Sequence, residues 1–244
     1  MDFVLILAIG LAAGTLSGIV GFGSSIMLMP VLVIFFGPLQ AVPVMAIAAI
    51  MANLSRIIVW WRDVDWRVCA AYSATAVPFA ALGAGTLLVL PARAVEVALG
   101  LFFISMIGAR RWMAAHDLKL GLGVLALLGV PVGYFTGIVA STGPITVPIF
   151  LATGLVKGAF LSTEAASSLA VYLAKAAVFR SFGALPWDIV LKGLIVGSTL
   201  MAGAFIAKRF VLRLDPTRFR LLMDGLLLLS GLALLWAALL PAQP

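Results

Sequence analysis

Cysteine and histidine are almost missing from this chain: 244 residues hold one of each. Cys69 stands alone in an apolar run, so neither a disulfide framework nor a cysteine metal site can be built within one chain. His116 follows Arg110-Arg111 in a loop and reads as solvated. A zinc protease needs two histidines beside a glutamate, and Ser24, Ser25 and Ser141 have no histidine in the apolar sequence to act as their base. Charge is scarce as well. Only 10% of residues are charged against 64% hydrophobic, where soluble domains run near about 25% charged. With a mean hydropathy of +1.23, the chain reads as an all-α polytopic membrane protein. It has no long linker and no low-complexity tract, so residues 1–244 form one integral membrane unit. Met1-Asp2 opens directly on an apolar run without a basic leader, so the first segment is expected to be retained.

What charge there is sits between the apolar runs. A net charge of +7 would point a soluble chain toward nucleic acid, but basic residues in short loops set membrane orientation instead. The expected partners are therefore the lipid bilayer and a small solute, with no nucleic acid and no cofactor. The sequence leaves the oligomeric state open.

Ten apolar segments follow one another, five in each half: about 3–20, 24–36, 40–61, 66–90 and 93–113, then about 119–140, 144–154, 159–180, 187–211 and 217–240. Most approach the roughly 20 residues that cross a bilayer, whereas the second of each half is about a dozen long, the length of a half-spanning helix. The halves also share text. Gly14 to Pro30 (GTLSGIVGFGSSIMLMP) and Gly133 to Pro148 (GYFTGIVASTGPITVP) align Gly14 with Gly133, Ser17 with Thr136, Gly18-Ile19-Val20 with Gly137-Ile138-Val139 and, after a one-residue gap, Pro30 with Pro148. This is an internal duplication, with repeat 1 over about 1–115 and repeat 2 over about 119–240. Interrupted apolar segments at matching places in two halves point to the solute site of a secondary transporter.

Loop charge decides how the repeats are related. If each short segment returns the chain to the side its predecessor left, Arg62, Arg67, Arg110, Arg111, Lys119, Lys157, Lys208, Arg209, Arg213, Arg218 and Arg220 gather on one side, opposite Arg93, Arg180 and Lys192. The positive-inside rule then makes the larger group cytoplasmic, with both termini outside and the repeats inverted.

The breaks carry the chemistry. Gly18, Gly21 and Gly23 with Ser24 and Ser25 in the first half, and Ser141-Thr142-Gly143-Pro144 in the second, supply flexible backbone, capping hydroxyls and a proline suited to a first helical position. A helix start leaves unpaired amide donors and partial positive charge, so two starts facing each other at mid-membrane form an anion site. Gly23, Ser24, Ser25, Ser141, Thr142 and Gly143 are the candidate binding residues. Gly14, Gly18, Gly133 and Gly137 fit equally well as close-packing positions between helices.

A glycine-rich break leading through an apolar run to a proline, repeated once at this length and hydropathy, resembles the sulfite exporter TauE/SafE family of membrane permeases, also called the toluenesulfonate uptake permease family. The likeness spans the duplicated halves. Family members often carry a fuller glycine run at the first break, where this chain reads Gly21-Phe22-Gly23-Ser24-Ser25. The resemblance implies transport of sulfur-containing anions such as sulfite or organosulfonates, without a prosthetic group, across the cytoplasmic (inner) membrane.

Charges inside apolar segments are costly unless paired or hydrated. Arg56 and Lys175 occupy matching positions in the third segment of each half, as do Asn53 and Tyr172 one turn earlier on the same faces. The two cations either draw anions inward from opposite sides or snorkel to the nearer interface. Glu164 is a candidate for a coupling proton, or an acidic residue favouring its helix start. Asp224 is a weaker candidate that pairs locally with Arg220 in the alternative reading. Trp60, Trp61, Trp66, Trp112, Trp187 and Trp236 lie near segment ends as interfacial anchors. A structural or assembly subunit would explain the hydrophobicity but not the duplicated polar breaks, and a permease for a non-sulfur anion such as a carboxylate remains the alternative within the transport class.

Overall fold

A computed structural model of the chain describes residues 2–20, 24–116, 119–139 and 142–207, together with 224–225, 228–229, 231–232, 234–236 and 239. Among these are nine α-helices and no strand: α1 (Asp2–Val20), α2 (Ser24–Phe36), α3 (Pro38–Val59), α4 (Trp66–Val89), α5 (Ala92–Ala115), α6 (Leu122–Ile138), α7 (Gly143–Leu151), α8 (Lys157–Ser181) and α9 (Trp187–Ala207). A single 3-10 turn, Trp61–Asp63, joins α3 to α4. Leu39–Val59, Trp66–Val89 and Trp187–Ala207 are long and apolar enough to cross a bilayer. Most of the tenth apolar segment lies outside the described residues.

Local chemistry sets the ends. The Asp65 carboxylate caps α4, accepting from the amides of Arg67 at 3.0 Å and Val68 at 3.2 Å. Gly37, at φ +73°, lets α2 turn into α3, where Pro38 takes the first turn without a donor to waste. The α2 and α7 helices are short, 13 and 9 residues.

Helix packing rests on glycine. Gly10, Gly14 and Gly18 of α1 meet Thr199, Leu200 and Ala204 of α9 in ascending order, so these helices run parallel. On α6, Gly129, Gly133 and Gly137 meet Thr75, Ala76 and Ala80 of α4 in the same way. A Cβ on Gly14 would fall 2.5 Å from the Leu200 carbonyl oxygen, and one on Gly133 would fall 2.6 Å from the Ala76 Cα. In lipid, where burial of apolar side chains gives little drive, such backbone approach supplies the dispersion contacts that hold helices together. The close-packing role foreseen for Gly14, Gly18, Gly133 and Gly137 is thus the one their surroundings fit.

Directions follow from further contacts. Gly193 and Gly197 of α9 approach Val44, Ile47, Ala48 and Met51 of α3, again in ascending order. The α8 start lies beside the end of α3, with Gly158 against Trp60 and Asp63 and with the Asp65 amide donating to the Thr163 hydroxyl at 2.8 Å. Hence α1, α3 and α9 run one way while α4, α6 and α8 run the other. The central pair is α3 against α8, and it positions the site.

Candidate functional site

Near the end of α3 and the start of α8, polar side chains collect in the interior. Asn53, Arg56, Thr136, Thr142, Thr146 and Glu164 are all buried, as are Ser17, Ser24 and Ser25. They line one cavity together with Tyr72, Gly143, Ser168 and Tyr172. Its volume is about 30 Å³, room for two or three waters at roughly 10–15 Å³ each.

Two helix starts open on this cavity. One is α2, beginning at Ser24-Ser25; the other is α7, with Thr142 at its cap position and Gly143 first in the helix. Thr142 does not cap as expected. Its hydroxyl pairs with that of Thr136, and its carbonyl oxygen accepts from the amides of Ile145 at 2.8 Å and Thr146 at 3.0 Å. The hydroxyls of Ser24 and Ser25, by contrast, make no hydrogen bond to a side chain or backbone group among the described residues, and stand at the cavity wall.

Arg56 and Glu164 form the electrostatic centre. Arg56 Nη1 donates to Glu164 Oε2 at 2.8 Å, and Nη2 donates to Asn53 Oδ1. The second carboxylate oxygen, Oε1, accepts from Ser168 Oγ at 2.8 Å and Thr146 Oγ1 at 3.3 Å. Side-chain exposures of 8% for Arg56 and 3% for Glu164 rule out snorkelling of the arginine in this arrangement. Glu164 sits two turns into α8, so its partner is the arginine rather than the helix start.

Lys175 behaves differently from its matched arginine. It is fully buried and does not line the cavity. Its Nζ donates to the carbonyl oxygens of Thr136 at 2.8 Å and Val139 at 2.7 Å, and lies 5.6 Å from the centre of the Phe179 ring. A cation at a helix C-terminus satisfies carbonyls that lack intrahelical partners and opposes their partial negative charge. Buried in this way, Lys175 does not snorkel; its ammonium holds the carbonyls at the end of α6.

Of the residues singled out from sequence, Ser24, Ser25, Asn53, Arg56, Thr142, Gly143, Glu164 and Tyr172 converge on the cavity. Gly23 and Ser141 lie outside the described residues. Tyr72, Thr146 and Ser168 also line the wall and were not singled out. Ser168 is one turn after Glu164 and Thr146 one turn after Thr142, a spacing that carries the signal; Tyr72 carries none, because it comes from α4. Asp224 accepts from Arg111 Nε at 3.0 Å, a long-range pair; Arg220, the local partner foreseen, lies outside the described residues.

A strongly apolar chain whose described residues form helices and no strand, with a polar cavity lined from the starts of α2 and α7, has the form of a membrane transporter. The family model described as sulfite exporter TauE/SafE matches residues 6–234. The chain belongs to that family. No curated protein matched it, and no solved structure did.

Proposed function

We propose that this protein is a secondary transporter that moves a small oxyanion, sulfite or a compact organosulfonate, across the cytoplasmic membrane by alternating access around the α2/α7 cavity. One observation carries the reading: two helix starts, from separate breaks in the chain, open on a single buried cavity that also holds an arginine. Amide donors and partial positive charge at both starts favour an anion there. Ser24, Ser25, Thr142 and Gly143 hold the solute, with Asn53, Arg56 and Tyr172 beside it. Gly23 and Ser141, outside the described residues, belong to the same proposed set by their place in the sequence. A cavity of about 30 Å³ favours the smallest oxyanions and would have to widen most for an aromatic sulfonate.

The repeats are taken to be inverted. In support, α1 and α3 run opposite to α6 and α8, and the matched glycine ridges of α1 and α6 pack in the same manner on α9 and α4. Rocking of one repeat against the other would expose the cavity to each side in turn. Residues 1–244 act as one membrane unit, with both termini outside and the Arg62, Arg67 and Lys157 loops in the cytoplasm.

Solute-dependent thermal shift of the purified protein tests the assignment, because a ligand that binds only the folded state stabilises it by mass action. Sulfite and methanesulfonate should raise the unfolding midpoint, acetate less, benzenesulfonate not at all. A shift with acetate and none with sulfite would move the assignment to carboxylates.

A further inference from the structure

We propose that Glu164 carries the coupling proton of the transport cycle, and that Arg56 passes from Glu164 to the anion when that proton binds. The inference rests on the transporter reading above and names its coupling ion. Glu164 is the one carboxylate among the described residues that line the cavity. Ionised, it is an acceptor only, and it already holds Arg56, Ser168 and Thr146 as donors. An entering oxyanion is also an acceptor only. It would meet a like charge at close range in a medium of low dielectric, with the arginine committed to the competitor. A proton on Glu164 removes the repulsion, frees Arg56 Nη1 for the solute and converts the repelling carboxylate into a further donor.

Of the other charged and titratable groups nearby, two tyrosines share the cavity and the rest are committed elsewhere. From α3 only Arg56 reaches the carboxylate, and from α4 Tyr72 shares its cavity while Cys69 lies 3.9 Å from Ser73 Oγ. Asp65, beside Thr163, spends its carboxylate on the α4 cap. On α8 itself Tyr172 lines the cavity, and Lys175 serves the end of α6. The α7 helix contributes Thr146, which is neutral.

Position gives the pair a second use. Arg56 lies near the end of α3 and Glu164 near the start of α8, so the ion pair fastens the two halves of the chain to each other. In each cycle one proton moves from water to a Glu164 carboxylate oxygen as one anion binds. It returns to water on the other side, where the ion pair forms again. No other bond is made or broken.

Infrared difference spectroscopy on the full-length wild-type protein tests this with sulfite as the probe. Adding sulfite should produce a carboxylic-acid C=O band that is absent in E164Q and retained in E164D. Calorimetric titration in buffers of different ionisation enthalpy should show about one more proton taken up per sulfite bound by wild type than by E164Q. The wild-type spectrum stands whether or not E164Q folds. Sulfite binding without the band overturns the proton role and leaves the anion site in place, whereas absence of sulfite binding overturns both.

Discussion

The ammonium of Lys175 lies 2.8 Å from the carbonyl oxygen of Thr136, one turn before the point where α6 breaks. Its matched residue, Arg56, instead spends its guanidinium on Glu164 and Asn53. Two cations at equivalent places in the sequence therefore do unlike work: one holds a helix end, the other lines the polar cavity.

Lys175→Met should for that reason act on stability. It strips two buried carbonyls of a charged donor, and hydrogen bonds to charged groups contribute about 1.5–3 kcal/mol each. A loss of about 3 kcal/mol or more is expected, read as a lowered unfolding midpoint in detergent. An unchanged midpoint with weakened sulfite binding would assign Lys175 to the solute instead.

Ser25→Ala should act on binding. The Ser25 hydroxyl lines the cavity without a partner among the described residues, so its removal costs the fold little. If it donates to a charged solute, about 1.5–3 kcal/mol is lost, which is tenfold or more in Kd. Thr142→Val should weaken sulfite binding too, but it also breaks the hydroxyl pair with Thr136 and should lower the unfolding midpoint. Equal sulfite affinity in Ser25→Ala and wild type would remove the serine from the site.

Glycine substitutions should separate packing from backbone freedom. Gly133→Leu drives a side chain into the α4 backbone at Ala76, so the protein should fail to accumulate in the membrane. Gly85→Ala, on α4, meets nothing within 4 Å and should be neutral or stabilising by up to about 1 kcal/mol. Folded yield in detergent distinguishes the two, and a Gly133→Leu protein of normal yield would refute the close-packing role.

Much of this was legible in the residues. Helix positions could be read because Gly37-Pro38, Pro91 and two glycine-rich stretches punctuate long apolar runs, and the cavity could be anticipated because Ser24-Ser25 and Thr142-Gly143 recur at matching places in the two halves. The side-chain directions could not. Whether Lys175 turns toward the cavity or toward the end of α6 depends on how far α6 extends before it breaks, which sequence spacing leaves unspecified. Tyr72 was invisible for a related reason: only the packing of α4 on α6 and α8 brings it to the wall. The Arg56–Glu164 pair joins residues 108 apart, and no local pattern encodes it.

Orientation can be tested through the ends of α3. Lys192 lies 3.5 Å from Gln40, near the start of α3, while Arg62 follows its end. The helix holds 22 residues, about 33 Å at roughly 1.5 Å per residue, close to the ~30 Å of a bilayer core. Arg62 and Lys192 should therefore lie on opposite surfaces. Replacing the lone Cys69 by serine gives a background for Arg62→Cys and Lys192→Cys. A membrane-impermeant thiol reagent applied to intact cells should label position 192, and label position 62 only after the membrane is opened. Lys157→Cys should behave like Arg62→Cys, because the α8 start lies against Trp60 and Asp63. Labelling of 62 and 192 from the same side would deny that α3 spans the bilayer. Labelling of 62 alone from outside would keep the span but reverse the protein, placing the Arg62, Arg67 and Lys157 loops outside against the positive-inside rule.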